Sequence, residues 1–269
     1  METEEKIKEM VRQKYAQIAF QSQAENAASC CGAVGCGTTE VHSIMSDDYS
    51  ALDGYQPEAD LSLGCGLPTQ FANIRPGDVV IDLGSGAGND CFIARHETGE
   101  HGKVIGIDFT PAMIAKAQHN AQKLGYQNVE FRQGDIELMP VSDNLADVVV
   151  SNCVLNLVPN KAATIQEIYR VLKPGGHFSI SDIVLVGQLP PAILEASEMY
   201  AGCVSGAIAK DAYLGHVAAA GFVNVVLQKE KMIYIPDEIL LRYLDQAAID
   251  DFRSGPNNIF SITLYGEKL

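Results

Sequence analysis

The spacing of apolar residues changes character near residue 76. Upstream, Ile7, Met10, Val11, Tyr15 and Ile18 recur at three- and four-residue intervals, which predicts an amphipathic helix over residues 3–20. Residues 26–70 follow no period and are rich in Cys, Gly, Ser and Asp. They predict a long irregular segment, a kind that in a compact domain tends to carry function. From Pro76 onward short β-branched runs alternate with helical patterns. DVVIDL is a strand, followed by a glycine turn and a helix near residues 88–98. KVIGID is the next strand, and a helix opens at Pro111, a good first helical position. NVEFRQ and ADVVVS follow, then a helix to about Leu172 stopped by KPGG, then HFSISDIV. Residues 189–220 predict a helical insertion. FVNVVLQKEKMIYI and NIFSITLYGEK are two late strands with a helix between them. Such alternation predicts an α/β fold with a mostly parallel, seven-stranded sheet and helices on both faces. Its parts are an N-terminal helix with a Cys-rich arm (1–75), a ligand-binding core (76–186), and an insertion with the strands that complete the sheet (187–269).

Composition narrows the partners. Hydrophobic residues make up 47% of the 269, enough for a core, and no apolar run approaches the ~20 residues of a membrane span. METEEKIKEM lacks the apolar centre of a signal peptide, so a cytoplasmic location is expected. Seven cysteines in a reducing compartment are expected as thiols, and an odd count speaks against a pure disulfide framework. A formal charge of −15 makes nucleic acid a poor partner and favours a small neutral or cationic ligand.

The chemistry gathers at the expected strand ends, where open α/β sheets bind ligands. DLGSGAGND supplies Gly84, Gly86 and Gly88 at the first turn. A dinucleotide fingerprint would need glycine where Asn89 stands, which counts against a nicotinamide enzyme. Asp82 ends the first strand and Asp108 the second, where a carboxylate can accept both hydroxyls of a ribose. GDIE, with Asp135, Ile136 and Glu137, ends the third and can accept the amino group of an adenine.

VIDLGSGAG, GID, GDIE and RVLKPGG together resemble the motifs of class I S-adenosylmethionine-dependent methyltransferases over residues 76–184. The resemblance implies a Rossmann-like fold with S-adenosylmethionine as cofactor. It implies that Asp82, Gly84 and Gly86 hold the methionine part of the cofactor, that Asp108 holds the ribose, and that Asp135, Ile136 and Glu137 frame the adenine. Ser85, Gly88, Phe109 and Asn152 are further cofactor-binding candidates.

The fourth strand ends in SNCV, with no carboxylate or histidine to serve as a general base. A thiol is a poor base but a good ligand for a soft centre. Cys65 in LGCGLP and Cys203 in AGCVSGA lie in segments able to border the same cleft. Three thiolates would hold a trivalent centre such as As(III), whose lone pair can attack a sulfonium methyl without a base, the gain coming from alignment. With these three stretches the sequence resembles the arsenite methyltransferases across residues 61–210. That resemblance implies As(III) on Cys153 and Cys203 with Cys65 as third thiol, arsenite and methylated As(III) as substrates, cysteine thiols as reductant, and a transient disulfide at Cys65. An external thioredoxin- or glutathione-like thiol would renew it. A methyltransferase of a quinone-like ring shares the core motifs but has no use for the three cysteines, and a non-catalytic protein that binds As(III) or another soft ion would leave the cofactor unspent. Cys91, on the helix after the glycine turn, is expected in the core. Cys30, Cys31 and Cys36 lack paired zinc spacing, although His42 could act as a fourth ligand. A thiol arm that passes on As(III) or disulfides, a zinc site and a plain loop all remain open for them.

Overall fold

The computed structural model describes residues 4–21, 45, 47–196 and 203–269; Cys30, Cys31, Cys36 and His42 lie outside them. A helix, α1 (Glu4–Ile18), comes first, and a short turn of helix, α2 (Pro68–Phe71), precedes the sheet. Then β1 (Val79–Leu83), α3 (Asn89–Thr98), β2 (Lys103–Asp108), α4 (Pro111–Leu124), β3 (Val129–Gln133), β4 (Ala146–Asn152) and α5 (Lys161–Val171) alternate as the sequence predicts. β5 (Leu172–Val186), α6 (Pro191–Leu194), β6 (Ile208–Ala209), α7 (Lys210–Ala219), β7 (Val223–Ile233), α8 (Asp237–Leu240), α9 (Gln246–Ser254) and β8 (Asn258–Glu267) complete the chain.

The strand order is β3-β2-β1-β4-β5-β8-β7, with β6 paired to β5. β1 to β5 run parallel, and β8 is antiparallel to both β5 and β7. The expected seven strands are therefore joined by an eighth, the two-residue β6, which matches Ile208 to Val184 within the segment read as purely helical. A second difference lies at KPGG. It does not separate α5 from the fifth strand; β5 starts at Leu172, directly after the helix. Gly175 adopts φ 81, which lets the chain bulge between the pairs Ala146↔Leu172 and Val148↔His177, and its N–H donates to the Lys268 carbonyl at 2.8 Å.

The parallel strands are apolar on both faces because helices cover both. Ile81, Ile105, Val149 and Ile180 pack against α5 and α7, while Val80, Val104 and Val148 pack against α3 and α4. α4 takes Pro111 at its first position and closes on Gly125 at φ 69, the pairing that starts and stops a helix with least strain. β1 bonds to β2 on one side and β4 on the other, so the strand order reverses there. A cleft opens beyond the carboxyl ends at that switch point.

Candidate active site

The cleft, counted with its open mouth, spans about 950 Å³ and is lined by Asp82, Gly84, Ser85, Gly86, Asp108, Phe109, Ile136, Asn152 and Cys153 among others. At its glycine turn, Gly84 (φ 66) and Ser85 both direct N–H groups to the Ile107 carbonyl. Asp108 is buried. It accepts from the Gly86 N–H at 3.0 Å and the Thr110 N–H at 2.8 Å, tying the turn to the end of β2 and leaving lone pairs toward the cleft. Gly88 does not line the cleft. It opens α3 at φ 98, and a Cβ there would strike Phe92 and Phe131, so its glycine serves packing rather than ligand approach.

The third-strand acids also stand differently from the expectation. Gly134 and Ile136 face the cleft, whereas Asp135 and Glu137 both pair with Lys8 of α1, at 2.6 Å for Asp135. Tyr15 of the same helix lines the cleft, so α1 covers part of it. At the other end Asp82 and Asp90 are two buried carboxyls, and burial pushes both above the usual carboxylate range. Cys91 is buried and contacts Asp82 at 3.2 Å, in the core as expected. Tyr49 donates to Asp90 at 2.9 Å, and Thr69 lies 3.4 Å from it.

Three buried polar atoms in the cleft wall, Ser85 Oγ, Asn89 Oδ1 and Thr110 Oγ1, have no hydrogen-bond partner among the described residues. Leaving such groups unmade is costly. A polar ligand bearing hydroxyls and an amino group would satisfy them, and the buried carboxyls Asp82 and Asp90 suit one with a positive charge.

The thiols converge from three segments. Cys153 directly follows β4, its N–H bonded to the Ser181 carbonyl at 2.8 Å. Cys65 precedes α2; Asn152 accepts its N–H at 2.9 Å, and Ser261 donates to its carbonyl. The flanking glycines of LGCGLP have a physical reason. A Cβ on Gly64 would come within 2.5 Å of the Asn152 amide, and one on Gly66 within 2.5 Å of Ser181 Oγ. Cys203 donates its thiol to the Cys153 carbonyl at 2.8 Å. Both Cys153 (φ 60) and Cys203 (φ 65) hold the left-handed conformation that non-glycine residues avoid, at a cost of order 1–3 kcal/mol each. Asn152 spends its amide on the Cys65 loop: besides the Cys65 N–H it donates to the Gly66 carbonyl at 2.8 Å and to Tyr49. It acts as a strap between β4 and that loop.

All three cysteines are buried thiols in one apolar cluster with Val11, Met45, Leu157 and Ile183. Hydrogen bonds with Cys203 and Cys65, together with burial, hold the Cys153 thiol well above its ordinary range. Burial pushes Cys65 up, partly offset by its contact with Cys153. The sequence reading missed Asp182, whose carboxylate joins Cys65 and Cys153 in a set of donor atoms all within 4.8 Å of one another. A lone carboxylate inside the apolar strand FSISDIVLV was the available signal. It also missed Asp90, Tyr49 and Lys161, a buried lysine at the start of α5. Burial lowers the pKa of Lys161, while the charges of Asp182, Cys203 and Glu137 oppose that shift.

Burial pushes the Asp182 carboxyl up to about 7, partly countered by the Ile183 N–H and the charge of Lys161. The folded chain therefore keeps a proton that an ordinary carboxyl, at 3.8, releases. This contribution to stability is complete below about pH 4 and is lost as pH rises to about 7. Wild-type melting temperature should fall more steeply across that window than that of Asp182→Asn, measured by calorimetry in parallel. Parallel curves would mean that the buried carboxyl is already ionised.

The fold and cleft are those of a methyltransferase domain, and the family of that description matches residues 74–232. The chain belongs to this family and, within it, to the arsenite methyltransferases. It is 42% identical over 247 residues to an arsenite methyltransferase of Halobacterium salinarum, covering 87% of this chain and 62% of that protein. It is 31% identical to an arsenite methyltransferase of Aquipseudomonas alcaligenes, covering 89% of this chain and 68% of that one. The crystal structure of an arsenic(III) S-adenosylmethionine methyltransferase from Chlamydomonas reinhardtii superposes with a TM-score of 0.64 at 33% identity, over 77% of this chain and 68% of that one. The chain thus spans roughly two thirds of the length of these relatives.

Proposed function

We propose that the protein transfers a methyl group from S-adenosylmethionine to As(III) held by Cys153, Cys203 and Cys65. The observation that carries this reading is the convergence of three buried thiols beside a cleft whose wall holds Asp82, Asp108 and three unpartnered polar atoms. When bound, S-adenosylmethionine supplies the electrophilic methyl of its sulfonium. Asp108 would accept the ribose hydroxyls, Asp82 and Asp90 would face the charged methionine end, and Ile136 would border the adenine. Ser85 and Thr110 would complete the polar contacts.

The electrostatics suit the substrate. Arsenous acid is uncharged at neutral pH, and the surroundings of Cys65 and Cys153 favour the neutral thiol. Condensation of three thiols with three As–OH groups forms three As–S bonds and releases three waters, so no net charge enters the apolar cluster. The As(III) lone pair would then take the methyl as the S–CH3 bond breaks, the cofactor would leave as the neutral thioether S-adenosylhomocysteine, and arsenic would become a cationic As(V) centre. Two of the bound sulfurs return it to As(III) by joining as a disulfide. An external thiol, thioredoxin- or glutathione-like, reduces that disulfide, as expected of a cytoplasmic enzyme. Among the described residues no helix is long and apolar enough to cross a membrane.

The test combines purified protein, S-adenosylmethionine, arsenite and a thiol reductant, with methylated arsenicals separated and counted. Product that requires all three additions is expected. Bound cofactor with no methylated arsenical would refute the reading and favour a soft-ion binding protein. A second check concerns the cofactor. Asp108→Ala should lose up to two charge-assisted hydrogen bonds, ~1.5–3 kcal/mol each, and so weaken S-adenosylmethionine at least about tenfold. Unchanged affinity by calorimetry in a folded variant would remove Asp108 from the ribose site.

A further inference from the structure

The thiol cluster contains one donor for which a trivalent arsenic centre has no use. Cys65 Sγ, Cys153 Sγ and a carboxylate oxygen of Asp182 lie within 4.8 Å of one another, and all three residues are buried. As(III) carries a lone pair and makes three bonds, which three sulfurs fill. A divalent thiophilic ion makes four bonds in a tetrahedron and accepts carboxylate oxygen beside thiolate. With metal–sulfur bonds of about 2.3 Å and metal–oxygen bonds of about 2.0–2.2 Å, the donors of such a tetrahedron stand roughly 3.3–3.8 Å apart. Donors already within 4.8 Å need close by only about an ångström. Cys203 lies outside that set; its Sγ donates to the Cys153 carbonyl at 2.8 Å, and its side chain must turn from there to become the fourth donor. Three thiolates, a carboxylate and a dication leave excess negative charge in a buried place. Lys161, itself buried and within electrostatic reach of Asp182 and Cys203, offsets part of it.

We propose that Cys65, Cys153, Cys203 and Asp182 form a tetrahedral site for a divalent thiophilic cation, Zn²⁺ or Cd²⁺, whose binding excludes arsenite. Each thiol that ligates the ion releases its proton to solvent, and no redox step is involved. The donor set is read from its own geometry and stands whether or not the chain methylates arsenic. If it does, these ions act as inhibitors competitive with the metalloid, and Asp182 is the residue that distinguishes the two kinds of ligand.

The test uses the full chain with Cys30, Cys31 and Cys36 changed to serine, so that the thiolate-to-cadmium ultraviolet band reports the buried set. Titration with Cd²⁺ alone should saturate at one equivalent. Cys65→Ser and Cys153→Ser should each remove most of the band. Asp182→Asn should weaken Cd²⁺ at least about tenfold yet leave arsenic uptake, measured as arsenic co-eluting on gel filtration, and S-adenosylmethionine binding unchanged. A band that survives loss of either cysteine, or Cd²⁺ held as tightly by Asp182→Asn, overturns the proposal. A measurement on the unsubstituted aspartate guards against a misfolded variant: one equivalent of Cd²⁺ should block arsenic uptake, and undiminished uptake overturns the proposal as well. Cadmium binding as expected in a chain that never takes up arsenic would sink the As(III) reading and leave the cation site standing.

Discussion

Cys153→Ser is expected to abolish arsenite methylation while S-adenosylmethionine still binds. The residue sits where β4 ends, lines the cofactor cleft, and touches both other thiols. Among the described cysteines it is the one that lines the cleft. Serine preserves size and polarity, but oxygen is too hard a donor to hold As(III) against water. Without this sulfur the metalloid loses its fixed position against the methyl, and loss of alignment alone is able to cost about 100-fold or more. The left-handed backbone at Cys153 is unaffected, since serine meets the same steric terms as cysteine there. Cofactor affinity is therefore the control: it should match wild type by calorimetry. Cys203→Ser should behave alike, because that thiol depends on the Cys153 carbonyl for its place. A methylation rate near wild type in either variant would remove that residue from the ligand set.

How much of this could be read in the chain depends on whether the signal was local. The parallel core was legible because each strand is a β-branched run and each helix carries its own period; Val79–Leu83 and Pro111–Leu124 needed no tertiary knowledge. β6 was not, because two residues have no period at all and pair only where β5 offers them an edge. The KPGG stop misled for a related reason. Glycine and proline announce a break in helix, but whether the chain then leaves the sheet or bulges within it depends on partners such as Lys268, nearly a hundred residues away.

The site divides the same way. Asp82 and Asp108 stood out because carboxylates are unusual at the ends of apolar strands, whereas Cys65, Cys153 and Cys203 stood out only together, through the three stretches that carry the family resemblance. The glycines around Cys65 carried a meaning that spacing alone does not convey, since the atoms they make room for belong to Asn152 and Ser181. Gly88 shows the converse: it fits a cofactor motif by spacing, yet Phe92 and Phe131 decide its role. Lys8 was outside reach altogether. Its pairing with Asp135 and Glu137 joins opposite ends of the N-terminal half, and no pattern within α1 singles out one lysine of three.

Cys65→Ser should discriminate between two substrates. Inorganic arsenite has three exchangeable oxygens and engages three thiols, whereas monomethylated As(III) already carries one carbon and engages two. On the proposed assignment Cys153 and Cys203 would suffice for the second. Cys65 is fully buried, and its backbone is fixed by Asn152 and Ser261 rather than by its own side chain, so serine should leave the loop in place. The variant is thus expected to lose most of the first methylation, on the order of tenfold or more for a lost ligand, and to retain much of the second when external thiol supplies the electrons. Paired initial rates with arsenite and with monomethylarsonous acid, at one saturating reductant concentration, make the comparison. Equal fractional loss on both would refute three-thiol capture and leave Cys65 a redox or structural residue. Loss confined to the second substrate would invert the assignment, because only a residue needed after the first carbon is attached produces that order.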